Sequence, residues 1–184
     1  VMVQSDRNLS RTYAIAGFSE SVQTSQVYLT GLNDRNFFDL RAYHFQVQDS
    51  ATTSTRNDEQ PWVLPSFDYS YTPDQPVAGG ELNIDFNART LYRNDLDRLP
   101  GVPAVRGVEG TNSRLTAEAE WKRTFVSDGG LLLTPLLAFQ ADSTFVNQSS
   151  ASIDAINHMA ASRGVGADVR SAFYRYMATI GLDL

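Results

Sequence analysis

The chain contains no cysteine. That removes disulfide scaffolds, thiol nucleophiles and Cys-ligated metal sites from consideration. Lys122 is the only lysine, so the 15 basic residues are almost all arginine. They are outnumbered by 21 acidic residues, which leaves a formal charge of -6 and a pI near 4.8. This balance lacks the basic footprint of a nucleic-acid-binding protein. The two histidines, His44 and His158, are far apart and have no metal-ligand spacing. Structural or surface roles are expected for both. No long apolar run exists, and the mean hydropathy of -0.29 excludes a transmembrane helix. The start, Val1 to Gln4, has neither the basic nor the apolar region of a signal peptide. One membrane class survives these exclusions. A barrel strand alternates lipid-facing and lumen-facing residues, so its average hydropathy is near neutral.

Alternation is what the sequence does contain. Leu82, Ile84, Phe86, Ala88, Thr90 and Tyr92 share one parity, against Glu81, Asn83, Asp85, Asn87 and Arg89. That period of two fits a strand with one apolar and one wet face. Leu115, Ala117, Ala119, Trp121 and Phe125 repeat it against Thr116, Glu118, Glu120, Lys122 and Thr124. Leu131 to Phe145 sets Leu133, Leu137 and Phe139 against Thr134, Gln140 and Asp142. Further strands are expected over Thr12 to Val22, Gln26 to Leu32, Phe37 to Gln48, Trp62 to Thr72 and Tyr174 to Leu184. The total is about eight. Several match the roughly nine to eleven residues that a tilted strand needs to cross a bilayer, rather than the five or six typical of soluble sheets.

The connections alternate in length. Asn33 to Asn36, Pro73 to Gly79 and Ser127 to Gly130 are short or moderate, and the last carries Asp-Gly hairpin chemistry. Asp49 to Pro61, Asn94 to Asn112 and Asn147 to Ala172 are long. In an up-and-down antiparallel sheet, alternate connections fall at opposite ends. Short turns at one end and long loops at the other are the asymmetry of an outer-membrane barrel. Tyr69, Tyr71, Trp121 and Phe125 lie near the short-turn ends, and Tyr92 and Phe145 near the long-loop ends, as two interfacial belts would place them.

Local irregularities are also legible. Pro65 and Pro135 each remove a ladder donor and mark a bulge or a gap. Arg123 has apolar-face parity and is expected to snorkel from a turn. The face of Phe37 to Val47 changes part way, which predicts a bulge there. Ser152 to Ser162 carries Ile153, Ile156, Met159 and Ala160 at helical spacing, with Ser152 as the expected N-cap. Gly101 to Gly110 lacks the Gly-Lys-Ser/Thr of a phosphate loop and reads as a mobile loop tip. No Gly-x-Ser-x-Gly elbow occurs.

Two functional readings remain. Glu81, Asp85, Glu118 and Glu120 project to one wet face, and a carboxylate pair is what a glycosidase needs. That reading gives a secreted carbohydrate-binding or glycoside-cleaving β-sandwich. Asn83, Asn87, Arg89 and Lys122 share the same face, however, and mixed charge with amides is the content of a water-filled lumen. That reading gives a non-enzymatic barrel section, with Leu82, Ile84, Phe86, Ala119 and Trp121 facing lipid.

Several stretches resemble one family. They are Leu32–Asp39 (LNDRNFFD), Trp62–Tyr71 (WVLPSFDYSY), Gly79–Asn87 (GGELNIDFN), Arg114–Phe125 (RLTAEAEWKRTF) and Gly129–Leu136 (GGLLLTPL). Together they resemble the barrel of the LptD family, the lipopolysaccharide-assembly or organic solvent tolerance proteins of the Gram-negative outer membrane. The resemblance implies an all-β fold, an antiparallel up-and-down transmembrane β-barrel segment. It implies lipopolysaccharide, outer-membrane lipid and an LptE-like plug lipoprotein as partners, with no cofactor, metal or catalytic residue. The family inserts lipopolysaccharide into the outer leaflet through a lateral opening between its first and last barrel strands. On this reading residues 1–184 are part of one larger barrel domain, and Glu81, Asn83, Asp85, Asn87, Arg89, Glu118, Glu120 and Lys122 face its lumen, substrate or plug.

Overall fold

A computed structural model of the chain describes residues 12–13, 22–47, 55–98 and 104–183. Seven long strands form one antiparallel meander: β1 (Val22–Asn33), β2 (Asn36–Val47), β3 (Trp62–Tyr71), β4 (Glu81–Arg93), β7 (Gly110–Lys122), β9 (Leu132–Gln148) and β10 (Ala172–Asp183). Each pairs with the next. Three short strands are additions to this meander. β5 (Asp97–Arg98) and β6 (Val105–Gly107) pair with each other, and β8 (Phe125–Val126) pairs with β9. Helices α1 (Thr55–Asp58) and α2 (Ser150–Ser162) lie in connections. The expected strand over Thr12 to Val22 falls outside the described residues, apart from its two ends. Part of the expected loop tip at Gly101 to Gly110 is instead the strand β6.

The short connections carry the turn chemistry that fixes the register. Asp34, at φ 47°, begins the two-residue link between β1 and β2, a left-handed conformation that Asp tolerates better than most residues. Between β3 and β4, Val77 and Gly80 exchange backbone hydrogen bonds of 2.9 and 3.0 Å around Ala78 and Gly79, both at positive φ. Two central residues of positive φ match the right-handed twist of flanking strands. In the expected Asp-Gly turn, Gly130 rather than Gly129 takes positive φ, at 80°. Ser127 N–H donates to Leu131 at 2.9 Å and Gly130 N–H to Ser127 at 2.9 Å, the pattern of a turn closed by a left-handed residue. An added Cβ at Gly130 meets nothing within 4 Å, so the cost of a side chain there is purely conformational. Gly130→Ala is expected to lower stability by about 1–2 kcal/mol, with Gly130→Asn recovering part of the loss. Denaturant midpoints of the full-length protein check this.

The described parts of the three long connections, 55–61, 94–98 with 104–109, and 149–171, lie at the opposite end, where the second contacts both the first and the third. Asp95 N–H donates to the Asp58 carbonyl at 3.1 Å, and Arg93 Nε to the Glu59 carbonyl at 3.2 Å. The expected segregation of short turns and long loops is therefore observed.

Two irregularities differ from expectation. The predicted bulge in β2 is absent on its β1 side, where pairing runs unbroken from Val22↔Val47 to Asn33↔Asn36. The extra residue lies in β3. Its register slips against both neighbours between Val63 and Ser66, where Pro65 has no N–H to give the ladder. Tyr43, Phe45 and Val47 thus sit on the polar face near the loop end. At Pro135, pairing with β10 is continuous. On the other side β7 stops at Lys122 and β8 resumes at Phe125, so this proline marks a local gap.

Helix α2 is also capped differently. The cap is Ser149, whose hydroxyl accepts from Ser152 N–H at 3.2 Å. Ser152 lies inside the first turn.

The sheet is one layer. Among the described residues the only buried apolar side chains are Val47, Val63 and Leu96. Large apolar residues are exposed instead, up to 82% for Tyr176 and 84% for Ile180. A sandwich buries such side chains between two packed sheets, and no second long sheet exists among the described residues. Among the described residues the two edges, β1 and β10, do not pair with each other, so the sheet is not closed.

Candidate functional site

Directly opposite residues in a ladder share a face, so the register assigns every strand residue to one of two surfaces. Leu82 faces Trp121, Ile84 faces Ala119 and Phe86 faces Ala117. The five residues expected to face lipid are therefore on one surface. The surface extends to Tyr69 and Tyr71 on β3, Leu137 and Phe139 on β9, and Ala178 and Ile180 on β10. Aromatic rings collect near its two margins. Tyr71, Trp121 and Phe125 lie at the short-turn end, where Trp121 Nε1 donates to the Val77 carbonyl at 2.8 Å. Arg123, beside them, reaches back to the Ala78 carbonyl at 3.0 Å and lies over the Phe125 ring at 4.6 Å. At the loop end Trp62 is opposite Tyr92, and Phe145 meets Tyr174 edge-on at 5.8 Å. His44 belongs to this group, 3.9 Å from Trp62 between ring centroids. His158 lies on α2.

The other surface carries the eight residues expected to face a lumen. Glu81 is opposite Lys122, Asn83 opposite Glu120, Asp85 opposite Glu118, Asn87 opposite Thr116 and Arg89 opposite Arg114. Most are bound into a polar network. Arg35 pairs with Glu81 at 2.7 Å across the short-turn end. Thr72 Oγ1 donates to Asn83 Oδ1 at 2.9 Å, and Asn83 Nδ2 donates to Asp85 at 2.5 Å. Asn87 Nδ2 donates to Asp68. Lys122 and Glu120 approach to 4.0 Å. Asp85 and Glu118 are the one directly opposed carboxylate pair on these two strands. They lie in a shallow open hollow with Ser70, Asn87 and Thr116, without the enclosure that a buried catalytic acid requires.

Parity along each strand also brings in residues that sequence reasoning did not single out. Arg41 binds Asp39 through both carboxylate oxygens at 2.6–2.8 Å. Asp142, almost buried in an otherwise open face, is held by Arg114 and by Arg175, the latter at 2.8 Å. The register then orders the charges by height. Arg41, Ser66, Arg89 and Arg114 occupy successive opposed positions on β2, β3, β4 and β7. One row nearer the short turns, Asp39, Asp68, Asn87, Thr116 and Asp142 do the same. An arginine row toward the loops thus lies above carboxylate rows toward the turns. Such a surface attracts polar solutes and holds water.

A search of the curated proteins found no match. The family model for LptD, LPS transport system D, matches residues 1–184. The match covers the whole chain, and the two-faced antiparallel sheet agrees with it. The chain belongs to the LptD family, outer-membrane proteins of Gram-negative bacteria that bind lipopolysaccharide and serve its transport and assembly.

Proposed function

We propose that residues 1–184 are a section of one larger transmembrane barrel, and that this section takes part in carrying lipopolysaccharide to the outer leaflet and inserting it there. The observation that carries this reading is a one-layer sheet with an apolar face between two aromatic margins. From Leu82, level with Trp121, to Tyr92 the strand rises about 33 Å at roughly 3.3 Å per residue. A strand tilt of about 40° projects that to about 25 Å, the height of the apolar band of outer-membrane barrels. An apolar face of this size left in water would drive aggregation. Lipid against Leu82, Ile84, Phe86, Ala119 and Trp121 removes that cost.

The polar face then lines the lumen. Glu81, Asn83, Asp85, Asn87, Arg89, Glu118, Glu120 and Lys122 meet water, the saccharide part of the substrate or an LptE-like plug lipoprotein. Within a bilayer, a sheet edge left without a neighbouring strand costs several kcal/mol per unpaired backbone group, and β1 and β10 end the strand order among the described residues. Further strands on both sides are therefore part of the proposal. No step makes or breaks a covalent bond.

Cysteine labelling tests the faces, and this stretch brings no native cysteine to confuse it. In the full-length protein in membranes, Asn87→Cys is expected to react with a water-soluble maleimide and Phe86→Cys only with a lipid-soluble one. Equal labelling of both positions by the water-soluble reagent would falsify the assignment.

A further inference from the structure

The arginine row contains one unbalanced point. Most guanidiniums around it have a carboxylate: Arg35 has Glu81, Arg41 has Asp39, and Arg114 and Arg175 share Asp142. Arg89 is exposed on the polar face, and among the described residues its side chain hydrogen-bonds only the Ser66 hydroxyl, at 3.3 Å. Directly opposite stands Arg114. Like charges at opposed ladder positions destabilise a sheet, and Asp142 cannot neutralise three cations. Between these arginines lies a hollow of about 460 Å³ lined by Asn87, Arg89, Leu91, Asn112, Arg114 and Thr116. It contains no carboxylate. Arg89 can offer its guanidinium fork to the oxygens of a phosphate group, and Arg114 the N–H groups that its bonds to Asp142 leave over. The two amides and the threonine hydroxyl offer both donors and acceptors to the hydroxyls of a sugar. The volume is within the range of small-molecule sites.

We propose that Arg89 and Arg114 form a binding subsite for a phosphorylated saccharide on the polar face of the sheet, with Asn87, Asn112 and Thr116 holding the sugar hydroxyls. The subsite rests on the reading of that face as a lumen. The phosphate bridges the two opposed cations and supplies the charge that Asp142 does not. The carboxylate rows nearer the short turns repel the same group, so the anion has one preferred height on the wall.

The test uses the full-length protein, with its partner lipoprotein, in detergent at low salt. The probes are glucose 6-phosphate, inorganic phosphate and glucose, followed by calorimetry. Glucose 6-phosphate is expected to bind more tightly than inorganic phosphate, and glucose not measurably. Arg89→Gln should weaken glucose 6-phosphate binding about tenfold or more, the loss of one charge-assisted contact. Arg89→Lys, which keeps the charge, should recover part of it, and added salt should weaken the wild type. Unchanged binding in Arg89→Gln, or glucose binding as well as its phosphate, overturns the subsite. Equal affinity for inorganic phosphate overturns its saccharide half. Labelling of Asn87→Cys separates the two readings. If the water-soluble reagent reaches that cysteine while the anion fails to bind, only the subsite falls. If only the lipid-soluble reagent reaches it, the lumen reading falls.

Discussion

Phe86→Arg is expected to destabilise the membrane-inserted protein by about 2–4 kcal/mol, while the adjacent Asn87→Arg changes stability by well under 1 kcal/mol. The two positions are consecutive in β4, so strand propensity, depth and distance from every loop are nearly the same. Only the face differs. Phe86 lies midway between the Leu82–Trp121 level and Tyr92, with the Phe67 ring 6.0 Å away on β3 and Ala117 opposite on β7. A guanidinium there lies too far from either interface to snorkel without distorting the bilayer. Asn87 instead has Asp68 beside it, and an arginine in its place gains that carboxylate. Unfolding of the full-length protein from lipid vesicles by denaturant, for the two variants side by side, checks the difference. Equal losses would mean that the assignment of the two faces is wrong.

The same parity made the two faces readable before any coordinates. Alternation from Glu81 to Tyr92 needs one apolar and one wet environment, and the short turns leave the register no slack. Legibility failed where a face is not uniform. In β2, Tyr43, Phe45 and Val47 sit on the polar side near the loops, and the sequence renders this as a bulge in that strand. Pairing with β1 is unbroken along β2, and the extra residue lies in β3 beside Pro65, the position with no donor to lose. The arginine row was unreadable for another reason. Arg89 and Arg114 are separated by a long connection that folds its own β5–β6 ribbon. Their opposition depends on a register that no local pattern encodes. The cap of α2 was similarly undetermined. Ser149, Ser150 and Ser152 are equally good by type, and a contact from a different loop chose among them.

That contact leads to the second large effect. Ser152 is fully buried, at 0% exposure, although it belongs to a loop helix whose surroundings are mostly open. Its hydroxyl accepts from Glu109 N–H at 2.9 Å and donates to the Glu109 carbonyl at 3.2 Å. Ser149 Oγ donates to the Glu109 carboxylate at 2.8 Å. The connection that carries β6 is thus latched to the one that carries α2, at the loop end of the sheet. Ser152→Val removes both hydroxyl bonds, leaves the Glu109 amide unpaired and places a larger side chain in a filled site. The expected cost is about 2–4 kcal/mol. It should be local, because β7 and β9 keep an unbroken ladder from Gly110↔Gln148 to Lys122↔Leu136 without any help from the latch. Hydrogen exchange of the full-length protein in lipid is expected to lose protection at Glu109 and the first turn of α2, with β7 and β9 unchanged. Tryptic cleavage at Arg163 and Arg170, which flank the exposed return from α2, should accelerate in parallel. Ser152→Ala, which removes the bonds without added bulk, should fall between the variant and the wild type. A uniform loss of protection across the strands would place Ser152 in the folding of the sheet itself, and no loss at all would mean that water replaces the latch at no cost.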